Sequence, residues 1–468
     1  MMRLCEALRV SQGDVVSFVG AGGKTSAMYR LGRELARQDW RVIVTTTTMI
    51  RPPTLQPGEG LVVADDLTQA LDLIQKALSQ NHRPKRGYGV PMVTLAAQQL
   101  PAENKLKGVP PGWIASLTHL ADVVLIEADG SRGLPIKAPA AHEPVVPVET
   151  SLLIPVVGID AVGLPLSAET AHRPALVAAL TGLAMGDVIT TATVSGLLVH
   201  PQGALKGAPP HARVAALINK VEDEAALDTA RHIAAQIKSA PALERVLIGA
   251  VASGETIAVA TDDPIVECWR RVSAAVLAGG GSKRLGRTKQ LLPVSGTTMI
   301  EHVLHTVLDT SVDEVIVVLG HAAAEIAPHI PVGCRTVVNP DWQDGISSSI
   351  RAGLQAMDHR SEAALFVLAD QPLLTSAALQ RILYAYYGTT KAIVAPVYRG
   401  QRGAPALFDR RMFSALRSLN GDVGGHEVIQ QFPHEVLPVE MEAAQMFLDV
   451  DTAADYEQLR RQMEEGSE

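Results

Sequence analysis

The sequence predicts two consecutive α/β domains, and three observations lead there. Strand-like apolar runs alternate with helix-period segments along all 468 residues, the pattern of parallel sheets built from βαβ units. A glycine-rich loop follows a strand once in each half, as Gly20-Ala21-Gly22-Gly23-Lys24-Thr25 and as Gly279-Gly280-Gly281-Ser282-Lys283-Arg284-Leu285-Gly286. Each half also holds an apolar strand running into an acid, Asp129 after 121–127 and Asp370 after 363–369. Because the loops differ in form, they argue for two nucleotide-binding domains and against an internal repeat.

Composition narrows the class. A chain of 468 residues exceeds one ordinary core, so two to three domains are expected. An apolar share of 47% with 19% charged residues suits a well-buried α/β protein. Aromatics are only 4% and the formal net charge is −8, and both argue against a nucleic-acid partner, which needs stacking platforms or a basic footprint. Cys5, Cys268 and Cys334 lack paired spacing, so a reducing cytoplasm is expected rather than a disulfide framework or thiolate-bound zinc. No signal-peptide core is visible at the N-terminus. The apolar stretches 151–166 and 175–199 are broken by Asp160, Asp187 and glycines, so no membrane span is expected.

Strands are expected at 15–19, 41–45, 123–127, 214–218 and 246–251 in the first half. In the second they fall at 273–277, 314–319, 336–338, 364–368 and 392–396. Residues 250–256 read as a closing strand, Thr261-Asp262-Asp263-Pro264 has turn chemistry, and Ser273 opens a fresh strand–loop–helix unit. The expected division is a domain at 1–255, a linker at 256–272 and a domain at 273–468, with a frayed tail from Glu464.

The first loop has the logic of a P-loop. Backbone amides at Gly20, Gly22 and Gly23 would cradle phosphates, Lys24 would reach the terminal ones, and Thr25 would ligate Mg²⁺. The full P-loop spacing wants glycine where Phe18 stands, and the shorter form resembles the Mur-ligase loop. Glu127 and Asp129, at a strand end, are the acids for the metal or its water, with ATP or GTP as the nucleotide. Arg132 and Lys137 add charge near the rim, and Thr45 to Thr48 follow a strand at the sheet edge where ligands bind. The plainer alternatives are a tight turn with a surface lysine, and threonines chosen for β-propensity. Asn219-Lys220 hints at guanine reading, but the acid two residues beyond Lys220 is Glu222 rather than aspartate.

The second loop is richer in chemistry. Leu277, Ala278, Gly279, Gly280, Gly281, Ser282 and Gly286 form the expected triphosphate cradle, since amides wrap a phosphate chain only where no Cβ blocks them. Arg284 and Lys289 supply positive charge, each charged hydrogen bond being worth roughly 1.5–3 kcal/mol. Asp370 would bring Mg²⁺ to the triphosphate. A dinucleotide loop would instead want an acid about 20 residues on, and Asp370 read alone also suits a helix cap.

These residues resemble the MobA-like nucleotidyltransferases of the GT-A-type group. The shared stretches are Leu277-Ala-Gly-Gly-x-Ser-x-Arg284-Leu-Gly286-x-x-Lys289, Gly345-Ile-Ser347-Ser348-Ser349, Asp370-Gln371-Pro372, Gly403-x-Pro405 with Gly421-Asp422, and Asp449-Val450-Asp451-Thr452. Lys289-Gln-Leu-Leu-Pro293, preceded by Thr288 where guanylyltransferases usually carry an acid, looks more like the molybdenum cofactor cytidylyltransferases. The resemblance implies CTP and molybdopterin (the molybdenum cofactor) as substrates and Mg²⁺ on Asp370 and Asp451. Arg284 and Lys289 would act on the leaving pyrophosphate, and Ser347 and Ser348 would contact an anion or ribose. Molybdopterin ends in a phosphate monoester, already an anionic nucleophile, so no general base is required.

The first half resembles the YqeC-like family of selenium-dependent molybdenum hydroxylase accessory proteins. The matching residues are Gly20 to Thr25, Val44 to Thr48, Glu127-Ala-Asp129-Gly130-Ser131, Lys137-Ala-Pro139 and His142-Glu143-Pro144. Together the resemblances imply a cytoplasmic fusion enzyme that joins CMP to molybdopterin and serves an apo molybdenum hydroxylase of the xanthine dehydrogenase type. Rival readings are a guanylyltransferase, transfer to a sugar or polyol phosphate, and a non-catalytic chaperone that delivers cofactor.

Overall fold

The computed structural model describes residues 1–79, 92–251, 263–282, 284–442 and 444–465. The chain divides into two compact units, Met1–Trp269 and Arg270–Glu468. The sheet of the first unit has nine strands among the described residues. In chain order they are β1 Val15–Gly20, β2 Val42–Thr46, β3 Glu59–Val63, β4 Met92–Ala96, β5 Val123–Glu127, β6 Leu152–Gly158, β7 Arg213–Asn219, β8 Arg245–Gly249 and β9 Ile265–Trp269. The spatial order is β9-β8-β7-β6-β1-β5-β2-β4-β3, parallel throughout except for β9 against β8.

Both faces of this sheet are covered, as an all-parallel core requires. Val16, Phe18 and Leu125 point to one face, where Met28, Leu31 and Leu35 of the helix Lys24–Ala36 pack. Their strand neighbours Val15, Val124 and Ile126 point to the other, against Ala70, Ile74 and Leu78 of the helix Leu67–Ser79. The period-two alternation is therefore apolar on both sides, and β1 lies at the centre with its loop opening at the carboxyl edge.

The second unit is a mixed sheet. Its strands are β10 Val272–Ala278, β11 Glu314–Leu319, β12 Cys334–Val338, β13 Ala363–Leu368, β14 Ile393–Tyr398, β15 Gln401–Arg402, β16 Ala406–Asp409 and β17 Val436–Glu440. They run β12-β11-β10-β13-β16-β14-β15, with β17 on β14. The first four are mutually parallel, and β16 is antiparallel to both β13 and β14. Ala275, Leu277, Ile316, Val318 and Phe366 pack against Ile350 and Leu354 of the helix Ile346–Ala356.

All ten expected strands are present, within two residues at either end. The stretch 256–272 read as a linker needs correcting in its later part. Ile265–Trp269 is a largely buried edge strand of the first sheet, and β10 already begins at Val272. Only Arg270 and Arg271 stand between them. The closing strand beyond 251, the turn at Thr261-Asp262 and the tail beyond 465 lie outside the described residues. No helix among the described residues is long and apolar enough to cross a membrane.

Candidate functional site

Parallel pairing of β10 with β13 sets Leu277 level with Leu368, so the glycine loop and the Asp370 turn open at one sheet edge, where α/β folds bind ligands. They border a cleft of about 680 Å³. Leu277, Gly279, Gly280, Gly281, Ser282, Arg284, Lys289, Asp370 and Asp451 line it, beside Trp342, Ser349 and Asp422. The loop is shaped from beneath by Gln290, whose buried amide donates to the carbonyls of Ala278 and Gly280 at 3.2 and 3.3 Å. Ser282 adopts a left-handed φ of 47°, and its hydroxyl accepts from the Lys289 backbone N–H at 3.2 Å. A Cβ at Gly281 would lie 3.2 Å from the Trp342 ring, so glycine there lets the indole wall the cleft.

The charges converge on one lysine. Lys289 Nζ donates to Asp370 Oδ2 and, at 2.8 Å, to Asp451 Oδ1, while Arg284 reaches Asp451 Oδ2 at 2.8 Å. Burial works against the Lys289 charge, but Asp370 and Asp451 outweigh it and lift its pKa above the ordinary lysine value. Asp370 caps no helix: the following helix, Ser376–Tyr387, is capped by Thr375. Asp451 is free of capping too, because Asp455 accepts from the backbone N–H groups of Asp451 and Thr452.

An ammonium therefore stands between the two acids assigned to a metal. Lys289→Met should tighten Mn²⁺ binding in the absence of nucleotide about tenfold, read by EPR titration. It should also raise the nucleotide KM by about tenfold or more, the worth of one charged hydrogen bond. Weaker Mn²⁺ binding in the variant would show that Lys289 does not compete for that position.

Four of the residues assigned to nucleotide binding behave differently from expectation. Ser347 and Ser348 do not line the cleft: both are buried, Ser348 taking a hydrogen bond from Asn339 at 2.8 Å and Ser347 one from Arg351 at 3.3 Å. Ser349 accepts from the same Asn339 amide at 3.1 Å, so Ser348 and Ser349 secure the helix Ile346–Ala356 to the end of β12, while Ser347 is bonded within its own helix. Ser349 is the hydroxyl that lines the cleft. Ala278 offers its carbonyl to Gln290, and Gly286, with φ +72°, turns the chain outside the lining.

Gly345 holds a stricter place. Its φ is +92°, and a Cβ would sit 2.5 Å from the backbone of Gly421 and Asp422. Gly345→Ala should cost several kcal/mol in chemical unfolding, since strain alone accounts for about 1–3 kcal/mol before the clash is added; a loss under about 1 kcal/mol would show that the 421–422 loop simply yields.

Beside the cleft, and sharing Leu277, Ile346 and Leu368 with it, lies a second pocket of about 400 Å³. Its walls include Phe366, Phe408, Ile350 and Phe447, and its polar side chains are Gln371, Asp449, Arg402, His426 and Gln430. Gly403 is glycine because a Cβ would strike the Phe447 ring at 2.2 Å. Sequence reasoning missed the roles of Gln290, Trp342, Gln371 and Asp449; Gln290, Gln371 and Asp449 stand inside recognised motifs next to residues assigned to phosphate or metal.

In the first unit the loop after β1 leads into the helix Lys24–Ala36, whose N-terminus has no side-chain cap and so presents unbonded amides. Gly20, Gly22 and Gly23 all have positive φ, and a Cβ on Gly22 would meet the Gly158 nitrogen at 2.1 Å. Lys24 is buried, donates to the Gly20 carbonyl at 2.6 Å, and lies 3.3 Å from Asp129 and 3.9 Å from Glu127. Thr25 donates to Glu127 at 2.5 Å, and the Gly20 N–H donates to Asp129 at 3.1 Å. Burial raises Glu127 above the ordinary carboxylate value, with Lys24 and Thr25 partly offsetting it. All five loop residues and Asp129 are thus gathered at one edge, but the Gly20 and Gly22 amides expected to cradle phosphate are already bonded, to Asp129 and to the Leu134 carbonyl at 3.0 Å.

Lys137 is not a rim cation. It is buried between Asp129 at 2.9 Å and Glu143 at 2.8 Å, and Arg173 pairs with the same Glu143 at 2.6 Å. Burial opposes the Glu143 charge, yet hydrogen bonds from Arg173 and Lys137 prevail and bring its pKa down to about 2. The threonine run is structural as well: Thr45, Thr46 and Thr47 donate to the carbonyls of Leu95, Glu127 and Val145. Asn219 braces the glycine loop, donating to Gly22 at 2.7 Å while accepting from the Val251 N–H at 2.9 Å.

Comparison with known proteins divides the chain in the same way. Residues 16–175 match the family described as YqeC protein, and residues 274–436 match the MobA-like NTP transferase domain. The uncharacterized protein YqeC of Escherichia coli (strain K12) is 34% identical over 214 residues, 44% of this chain and 75% of that protein. Nicotine blue oxidoreductase of Paenarthrobacter nicotinovorans is 33% identical over 196 residues, 39% of this chain and 92% of that protein. Among solved structures, a Mycobacterium tuberculosis Rv0371c homolog from Mycobacterium sp. strain JC1 is 32% identical, covering 42% of this chain and 98% of its own, with a TM-score of 0.38. The chain belongs through its first half to the YqeC family and through its second to the MobA-like nucleotidyltransferases.

Proposed function

We propose that the second unit transfers CMP from CTP to the terminal phosphate of molybdopterin and releases pyrophosphate. The first unit is then a nucleotide-dependent accessory, taking ATP or GTP, in the maturation of a cytoplasmic molybdenum hydroxylase of the xanthine dehydrogenase type. The observation that carries the transfer is the placement of Lys289 and Arg284 with Asp370 and Asp451 at the mouth of the glycine loop. In the step, a monoester oxygen bonds to the α-phosphorus as the bond to pyrophosphate breaks. Lys289 and Arg284 take up the charge that develops on the leaving group, and the loop amides hold the two anions in line.

Asp370 and Asp451 would hold Mg²⁺, which when bound neutralises triphosphate charge. The residues fit it: Asp370 Oδ1 is buried without a hydrogen-bond partner among the described residues. Among those residues no three or more His, Cys, Asp or Glu gather at one metal position, as suits a cation that completes its shell with phosphate oxygens and water. Thr288 in place of an acid before Lys289 supports CTP over GTP.

The test is pyrophosphate release from CTP and from GTP, with Mg²⁺ and fresh molybdopterin. Cofactor-dependent release from CTP alone bears the reading out, release from GTP corrects the base, and release from neither defeats it. The relative named nicotine blue oxidoreductase supports a second reading, in which the cleft carries a dinucleotide's pyrophosphate and serves a reduction. Substrate-dependent oxidation of NADH or NADPH would favour that one.

A further inference from the structure

We propose that the first unit has an anion site beside its glycine loop, where Arg132, His172 and Arg173 hold a phosphate group outside the loop. The assignment rests on the reading of this unit as nucleotide-dependent and adds a second phosphate position to it. The turn 131–134 follows Asp129 closely and is closed by the Leu134 N–H, which donates to the Ser131 carbonyl at 3.1 Å. It is fastened to the glycine loop by the Gly22 N–H, which donates to the Leu134 carbonyl at 3.0 Å. The short parallel strands Ile136–Lys137 and Ala171–His172 then set Lys137 level with His172. His172 lies within reach of three cations: burial, then the charges of Arg173, Lys137 and Arg132, hold it below the ordinary histidine value, with Glu143 opposing.

Two of these cations are held at a cost. Arg132 and Arg173 both have left-handed backbone, with φ of 55° and 65°, a conformation open to glycine and disfavoured for a long side chain. Strain of this kind concentrates where function requires it. The charges do not cancel either. Glu143 takes Lys137 and Arg173, and Lys137 also serves Asp129. Arg132 is exposed and makes no hydrogen bond or ion pair among the described residues, so its charge is the surplus. A phosphate monoester carries about −1.5 to −2 at neutral pH, and its oxygens match the guanidinium fork. Because the Gly20 and Gly22 amides are already bonded, side chains are left to receive such a group.

The probe is inorganic phosphate, titrated into the full-length protein and read by phosphorus NMR; the change on substitution separates this site from the cleft of the second unit. Arg132→Gln should weaken the binding about tenfold or more, the worth of one charged hydrogen bond, and Arg132→Lys should restore part of it. Arg132→Gly should also lose the binding, yet raise the unfolding midpoint by about 2 °C, since glycine adopts the left-handed turn without strain. Unchanged phosphate binding in Arg132→Gln would overturn the assignment, as would a destabilised Arg132→Gly that binds phosphate normally. The source of the phosphate follows from an ATP analogue. If the group is the nucleotide's own, Arg132→Gln weakens the triphosphate and spares AMP. If it belongs to a second substrate, the triphosphate is unaffected and phosphate binding in its presence falls. Nucleotide binding with phosphate indifferent to Arg132 would sink this inference alone, whereas Arg132-dependent phosphate binding without nucleotide binding would sink the nucleotide reading alone.

Discussion

Asp370→Asn is expected to lower kcat/KM for pyrophosphate release by about 10²- to 10³-fold, with the fold intact. The magnitude is that of removing one preorganised charge from a transition state. Asp370 offers one oxygen to Lys289 and keeps the other buried and unpartnered among the described residues, an arrangement that costs free energy and that a bound cation would relieve. Asparagine keeps the shape, loses the charge, and can turn an NH₂ toward the Lys289 ammonium. Stability should change little, because Lys289 retains Asp451 at 2.8 Å and Asp370 sits beyond the end of β13. The readings separate cleanly at this residue. If the second unit only carries and delivers cofactor, delivery to an apo-hydroxylase should survive the substitution; a rate within fivefold of the unaltered protein would remove Asp370 from the chemistry.

Much of this site was legible because phosphate chemistry constrains sequence locally. A glycine loop, a cation five residues on and an acid at a strand end are short patterns, and the sheet brings Lys289 and Asp370 together once β10 and β13 pair. The ten strands were legible from apolar runs for the same local reason. What was not legible depends on direction and partners. β6 is not among the expected strands, and it carries Pro155, a residue that argues against a central strand. The register shows how it is accommodated: β6 pairs continuously with β1, and beside β7 the ladder keeps its register but omits Ile154 and Pro155 between Leu153 opposite Val214 and Val156 opposite Leu217. The antiparallel placement of β9 and β16 is also invisible to periodicity, which reports faces and not chain direction.

The serines show the opposite failure. Three hydroxyls at a helix start read as ligand contacts, yet Ser348 and Ser349 accept from Asn339, a partner set by the packed fold, and Ser347 accepts from Arg351 one turn along its own helix. Lys137 is similar: as sequence it is a rim cation, and in the fold it is a buried counter-ion shared by Asp129 and Glu143.

Lys24→Met is expected to abolish nucleotide binding by the first unit and to destabilise it by about 3–5 kcal/mol at neutral pH, the cost of breaking a buried ion pair. Lys24 is 2% exposed and faces Asp129 and Glu127; methionine fills its volume but leaves the two acids, among the described residues, with Lys137, 2.9 Å from Asp129, as the near cation. The loss should depend on pH, with a sign fixed by Glu127. Its folded pKa is already raised, chiefly by burial, so its favourable contribution is complete below the ordinary glutamate value and is lost as pH rises through the raised one. Without Lys24 the raised value moves higher still, so the variant should lie nearest to the unaltered protein at about pH 5 and fall away toward pH 8. Urea unfolding at the two pH values reads the first effect, and titration with a fluorescent ATP or GTP analogue reads the second. An equal stability loss at both pH values would mean that Glu127 is not the group left stranded. Unchanged nucleotide affinity would mean that the loop is a turn held shut by its own lysine, and the phosphate would have to be sought elsewhere in this unit.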